Sequence, residues 1–253
     1  MPTLDNHASS AYTKILYIGD SGTGKTGSLA ALLNDGYSLR ILDMDNGLTA
    51  LKQFGATADL SKVEYETFRD KVRMTPGGPM TKGSAKAFAN AMDTLSKWSE
   101  IEDPNCIIVL DSLTFLGKSA YAWAKGMNPT AKEPRTWFYA AQQAVESVLA
   151  LLTDDDCKQN VIVISHVNYK EVTEGVQKGH PSAIGSALGP TIASYFDTLI
   201  LAEASGSGTN VRRRIKTLPT GVIDLKMPTT SVDKELPLET GLSTIFAELK
   251  GAK

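Results

Sequence analysis

The chain has 253 residues, 42% hydrophobic and 21% charged, with 26 Lys and Arg against 28 Asp and Glu for a formal net charge of −2. Such a composition supports a sizeable core; it excludes wholesale disorder and a globally basic coat, so any polyanion contact must come from a local patch. The two cysteines, Cys106 and Cys157, have no metal-ligand spacing and read as buried reduced thiols, and no apolar run reaches 18 residues, so a soluble cytoplasmic protein with no membrane partner is expected.

Residues 1–11 read as an N-terminal tail and 12–253 as a single domain. KILYIG (14–19) is a short apolar run of the kind a buried strand needs, and 25–34 reads as a helix with Leu29, Leu32 and Leu33 on one face. YSLRILD (37–43) reads as a strand, KVEYETF (62–68) as a weaker one, and 74–84 as loop from its Pro and Gly content. Phe88, Met92, Leu95 and Trp98 at helical spacing predict a helix over 85–99, followed by a buried strand at 105–111. The polar stretch 117–135, with Gly126, Pro129 and Pro134, predicts a long excursion, then a helix over 136–152 and a buried strand at 160–165. The glycine-rich stretch 170–187 reads as loop and 189–195 as a short helix. Three late strands are expected at 196–202, 211–217 and 222–226, the first two joined by a hairpin-like SGSG (205–208), with a closing helix over 239–250. Strands alternating with helices and then a run of strands predict an α/β fold, with a central, mainly parallel sheet flanked by helices and an antiparallel C-terminal extension.

Between the first strand and the first helix lies GDSGTGKT, which fits G-x-x-x-x-G-K-[ST]. Backbone amides of Gly19, Asp20, Ser21, Gly22, Thr23, Gly24 and Gly27 are expected to cradle phosphates, with Lys25 reaching the outer phosphates and the Thr26 hydroxyl holding Mg²⁺. ATP and Mg²⁺ are therefore the expected cofactors. Asp111, closing CIIVLD at the carboxyl end of a buried strand, has the placement of a second Mg²⁺ ligand. Asp43 and Asp45, two apart in ILDMDNGL, are alternatives for activating water or for forming the turn before Asn46-Gly47. His166 follows a buried strand expected near the phosphates.

Taken in order, GDSGTGKT, ILDMDNGL, CIIVLDSLTFL and VIVISHVNYK resemble the RecA/KaiC-type P-loop ATPase core over about residues 12–230. The resemblance implies that Asp45 is the catalytic base, where the family usually has Glu, and that His166 is the γ-phosphate sensor, where the family usually has Gln. It also implies two loops for single-stranded DNA, roughly 117–135 with Lys118, Lys125, Lys132 and Arg135, and 169–187 with Lys170 and Lys178. On the late strand VRRRIKT, Arg212, Arg214 and Lys216 share one face and are the candidates for reaching a neighbouring subunit's nucleotide. A core of this size is similar to phage-encoded RecA-like proteins, including single-strand-annealing ATPases of the Sak type. The implied function is an ATPase of phage DNA recombination that binds single-stranded DNA as a ring or filament of identical subunits in the host cytoplasm. A single-strand-binding protein stands as a candidate partner. A P-loop small-molecule kinase, and a nucleotide-gated module with little turnover, are the alternatives.

Overall fold

Adjacent apolar residues along each central strand bury opposite faces of one sheet, and that sheet organises everything else. The computed structural model describes residues 12–55, 57–185 and 187–251, so the expected tail at 1–11 lies outside the described residues. From the N-terminus, β1 (Lys14–Gly19) leads through the glycine loop into α1 (Lys25–Ser28) and α2 (Ala30–Asn34), then β2 (Ser38–Asp43), α3 (Thr49–Phe54) and β3 (Val63–Thr67). A small ribbon, β4 (Val72–Thr75) and β5 (Gly78–Thr81), precedes α4 (Ala87–Ser99), β6 (Asp103–Asp111), α5 (Leu113–Met127), α6 (Pro134–Thr153) and β7 (Gln159–Ser165). A second ribbon, β8 (Val167–Thr173) and β9 (Val176–Pro181), is followed by α7 (Gly189–Ile192), β10 (Thr198–Ser205), β11 (Arg212–Lys216), β12 (Glu235–Pro237) and α8 (Leu238–Gly251).

The main sheet runs in the order β12-β11-β10-β1-β7-β6-β2-β3. The strands from β10 to β3 are parallel to their neighbours, while β11 and β12 extend the sheet antiparallel, as the sequence pattern predicts. Period-two alternation explains the two cores. Leu16, Ile18, Ile108, Leu110, Val161 and Val163 face α4, α5 and α6. Their sequence neighbours Ile15, Tyr17, Ile107, Val109, Ile162 and Ile164 face α2 and α8. Cys106 and Cys157 are free and buried, as expected.

Four segments differ from expectation. The stretch 117–135 is not an excursion: α5 runs to Met127 and α6 starts at Pro134. Pro129 lies just beyond the end of α5 and Pro134 occupies the first turn of α6, so both prolines mark helix boundaries. The core face of α5 includes Gly117, Ala120 and Ala124, small residues that leave only a faint apolar stripe in the sequence. Loop 74–84 contains the β4–β5 ribbon, and 170–187 is mostly the β8–β9 ribbon, turning at Gly175 with φ 76°. The stretch 222–226 makes a single bridge, Lys226 to Leu199, and the third late strand is β12 instead.

Candidate nucleotide site

Parallel registry brings the chemistry to one edge. Asp43 is level with Asp111, Asp111 with Ile164, and Ile18 with Ser165, so β2, β6, β7 and β1 deliver their terminal residues side by side. Ligands in such sheets bind at this carboxyl edge.

The glycine loop is shaped for close approach of a ligand's phosphates. Gly24 has φ 95°, a conformation that L side chains rarely adopt, and a Cβ there would run into the Leu238 side chain. The Lys25 ammonium is 6% exposed and donates to the carbonyls of Gly19 and Asp20, each at 2.8 Å. Burial lowers its pKa to about 8, opposed by the charges of Asp111, Asp20 and Asp45. The Thr23 hydroxyl donates to the Asp20 carbonyl at 2.8 Å and stiffens the turn.

The Thr26 hydroxyl donates to Asp111 Oδ2 at 2.6 Å, joining the glycine loop to the end of β6. Asp111 is 2% exposed; burial first, then the charges of Asp45 and Asp43, push its pKa up to about 7. A hydroxyl and a buried carboxylate form a hard-oxygen donor pair, which suits Mg²⁺ completed by phosphate and water oxygens. Among the described residues, no group of three or more His, Cys, Asp and Glu is placed to hold a metal by itself. Two buried polar atoms at this edge, Asp45 Oδ1 and Ser112 Oγ, have no hydrogen-bond partner among the described residues. That leaves acceptor capacity where a metal's water shell or a nucleophilic water would sit. The residues present therefore fit a Mg²⁺-nucleotide.

The structure separates the two aspartates of ILDMDNGL. Asp43 Oδ1 accepts the amides of Asn46 (2.7 Å) and Gly47 (3.2 Å), while Oδ2 accepts the Thr67 hydroxyl (2.8 Å). Asp43 is thus occupied in forming the turn that presents Asp45. Burial first, then the Asp43 charge, raises the Asp45 pKa. His166, half-buried, meets the Phe115 ring edge-on with centroids 6.2 Å apart. Burial first, then the charges of Lys25 and Lys118, lowers its pKa and favours the neutral imidazole.

Behind His166 is a tight polar junction. Ser165 Oγ lies 2.9 Å from each of the His166 and Ser182 carbonyls, which share its one proton, and accepts at 3.0 Å from the Ser182 amide, which also donates to the His166 carbonyl at 2.8 Å. The Thr114 hydroxyl donates to the Ser182 carbonyl at 2.8 Å and accepts the His166 amide at 3.1 Å. The ends of β7 and α5 are thereby tied to both ends of the β8–β9 ribbon. The Tyr169 hydroxyl, on that ribbon, donates to Asp20 Oδ2 at 3.4 Å.

The remaining expected residues are spread over several elements. Lys118 lies over the Phe115 ring at 4.2 Å and Lys125 over the Trp137 ring at 5.4 Å, both on α5. Lys132 falls in the short α5–α6 link and Arg135 in the first turn of α6. Lys170 and Lys178 face each other across the second ribbon, and Lys178 pairs with Asp224 at 2.9 Å. On β11, Arg214 pairs with Glu235 and Lys216 with Glu203 (2.8 Å), so both are engaged within their own chain, while Arg212 is exposed. The arginine that reaches a glycine loop is Arg213, whose Nε donates to the Gly22 carbonyl at 3.2 Å in cis. Strand alternation in VRRRIKT sets it on the opposite face from Arg212, Arg214 and Lys216.

A glycine loop after a central strand and a hydroxyl–carboxylate pair across two strands of a parallel sheet define a P-loop nucleotide-binding domain. A family model described as an AAA domain (AAA_24) matches residues 11–228. The chain belongs to that AAA-domain family. No curated protein sequence matches it significantly. Among solved structures it is similar to a KaiC-like protein of the hyperthermophilic archaeon Pyrococcus horikoshii OT3, with 14% identity over 89% of this chain and 84% of that one, TM-score 0.47. It is also similar to the flagellar accessory protein FlaH of Methanocaldococcus jannaschii, with 12% identity over 90% of this chain and 87% of that one, TM-score 0.45. No helix among the described residues is long and apolar enough to cross a membrane.

Proposed function

We propose that the protein is a Mg²⁺-dependent ATPase that binds single-stranded DNA as an oligomer of identical subunits and promotes annealing or strand pairing in phage recombination. The supporting observation is the Thr114–Ser165–Ser182 junction, which ties the nucleotide edge to a ribbon carrying Tyr169, Lys170 and Lys178.

In this reading the glycine-loop amides and Lys25 would hold the phosphates, and Thr26 with Asp111 would hold Mg²⁺. The metal supplies charge neutralisation on the phosphate oxygens. Asp45, with an unsatisfied oxygen and a raised pKa, orients water and takes its proton. The His166 imidazole would supply one hydrogen-bond donor to a bound terminal phosphate. The His166 amide and carbonyl are both held in the junction, so a change at the imidazole would be transmitted there.

The test is ATP turnover and oligonucleotide binding measured together. Single-stranded DNA should accelerate hydrolysis, and binding should weaken steeply with salt because phosphate contacts dominate it. Absence of binding at low salt, with and without ATP, would refute the proposal.

A further inference from the structure

Electrostatics elsewhere in the molecule locates a surface that the ATPase fold alone does not explain. Residues 69–86 contain Arg69, Lys71, Arg73, Lys82 and Lys86 against one carboxylate, Asp70, in a chain of net charge −2. Asp70 is occupied: its Oδ1 accepts the amides of Lys86 (2.7 Å) and Ala87 (3.0 Å), closing the neck of the β4–β5 ribbon against the start of α4. Lys71, Arg73, Lys82 and Lys86 are exposed and form no ion pair or side-chain hydrogen bond among the described residues. Some cations elsewhere form ion pairs, among them Lys97 with Asp93, Lys158 with Glu102, Lys178 with Asp224 and Arg214 with Glu235.

The ribbon is also apolar where a solvated hairpin should not be. Val72, Met74 and Met80 are 63%, 80% and 53% exposed. In the ladder Val72 pairs Thr81 and Met74 pairs Pro79, while Arg73 pairs Met80, so apolar side chains occur on both faces. The ribbon stands apart from the main sheet, and two strands alone are marginal in water. Tyr65, on the edge strand leading into it, is 57% exposed. Unpaired cations interleaved with flat or flexible apolar side chains match a polyanion whose unstacked bases need covering.

We propose that the β4–β5 ribbon, through Lys71, Arg73 and Lys82 with Met74 and Met80, is a contact arm for single-stranded nucleic acid. The assignment rests on the single-stranded DNA reading above and adds to it a surface separate from the β8–β9 ribbon. It also places the arm next to the water-activating group. The Thr67 hydroxyl and the Phe68 amide bind Asp43, at 2.8 and 2.9 Å, two residues and one residue before Arg69. Asp43 in turn accepts the amides of Asn46 and Gly47, the two residues that follow Asp45. A strand pulling on the ribbon neck acts directly on the turn that carries Asp45.

The test is fluorescence anisotropy with labelled oligo-dT across a salt series. The wild type is compared with Lys71→Gln/Arg73→Gln/Lys82→Gln and with a control of equal charge change, Lys97→Gln/Lys158→Gln/Lys234→Gln. At about 0.7 per single-strand phosphate contact, the ribbon variant should lose about 2 from the log–log salt slope, with affinity down by about tenfold or more. The control should keep the wild-type slope, and Lys71→Arg/Lys82→Arg should restore binding with an unchanged thermal midpoint. A ribbon variant that binds as well as wild type, with the same slope, overturns this assignment and leaves the functional reading standing. A wild type that does not bind oligo-dT at low salt removes both. Binding of anionic vesicles, but not oligo-dT, through these three cations also overturns it.

Discussion

Asp111→Asn should make the nucleotide-free protein more stable while removing its response to Mg²⁺. Asp111 is 2% exposed, and burial with the nearby charges of Asp45 and Asp43 raises its pKa from 3.8 to about 7. Between those values the folded chain keeps a proton that the unfolded chain has released, so stability falls as pH rises through that window and the loss is complete above about 7. At 1.36 kcal/mol per unit the full loss is about 4 kcal/mol. A neutral isostere escapes that cost and can still accept the Thr26 hydroxyl through Oδ1. Above pH 7 the variant should therefore exceed wild type by about 2–4 kcal/mol, and the difference should shrink toward pH 5. Asp111 supplies the largest charge opposing the burial that lowers the Lys25 pKa to about 8, so its neutralisation lowers that pKa further and offsets part of the gain near pH 8. Urea unfolding in EDTA at pH 5 and pH 8 measures the effect, and adding Mg²⁺ and ATP should then stabilise wild type far more than the variant. A variant less stable than wild type at pH 8, or a difference independent of pH, would refute the reasoning.

Other perturbations separate the roles of neighbouring residues. Asp45→Asn should retain ATP binding and lower kcat by about 10²–10⁴-fold, measured by phosphate release against nucleotide titration. Asp43→Asn should instead lower stability by about 1–3 kcal/mol in urea unfolding, because a neutral side chain holds the Asn46 and Gly47 amides less well. Ser165→Ala should cost about 1–3 kcal/mol and abolish ATP-dependent changes in hydrogen exchange over 167–181, since it removes the hydroxyl that links the His166 and Ser182 backbones, although the Ser182 amide keeps the His166 carbonyl. Gly24→Ala should cost about 1–3 kcal/mol and weaken nucleotide binding, because φ is 95° and Leu238 fills the space a methyl needs.

The parallel core was legible because its signals are local and strong. KILYIG, CIIVLD and NVIVIS are uninterrupted apolar runs, and each became a buried central strand. The two ribbons were not legible: VRMT and VNYKEVT alternate weakly, are mostly exposed, and sit among glycines and prolines that resemble loop chemistry. The helix α5 was hidden by its own packing. Gly117 lies so close to Ala183 that a Cβ would meet its backbone at 2.9 Å, and that close approach, not a large apolar residue, buries the helix face there.

The glycine loop, its lysine and its threonine were determined by the sequence alone, because strand, turn and helix follow one another within a dozen residues. What Thr26 bonds to was decided only in three dimensions: its partner, Asp111, is 85 residues away and arrives through the registry of four parallel strands. The same holds for Asp43 and Asp45, equal by spacing and unequal once Thr67 and the turn amides claim Asp43. Arg213 is a third case, one of three adjacent arginines until strand pairing turns it toward Gly22. Local order sets which chemistry is present. Long-range pairing assigns each group its partner, because charges and hydrogen bonds act over a few ångströms of space rather than along the chain.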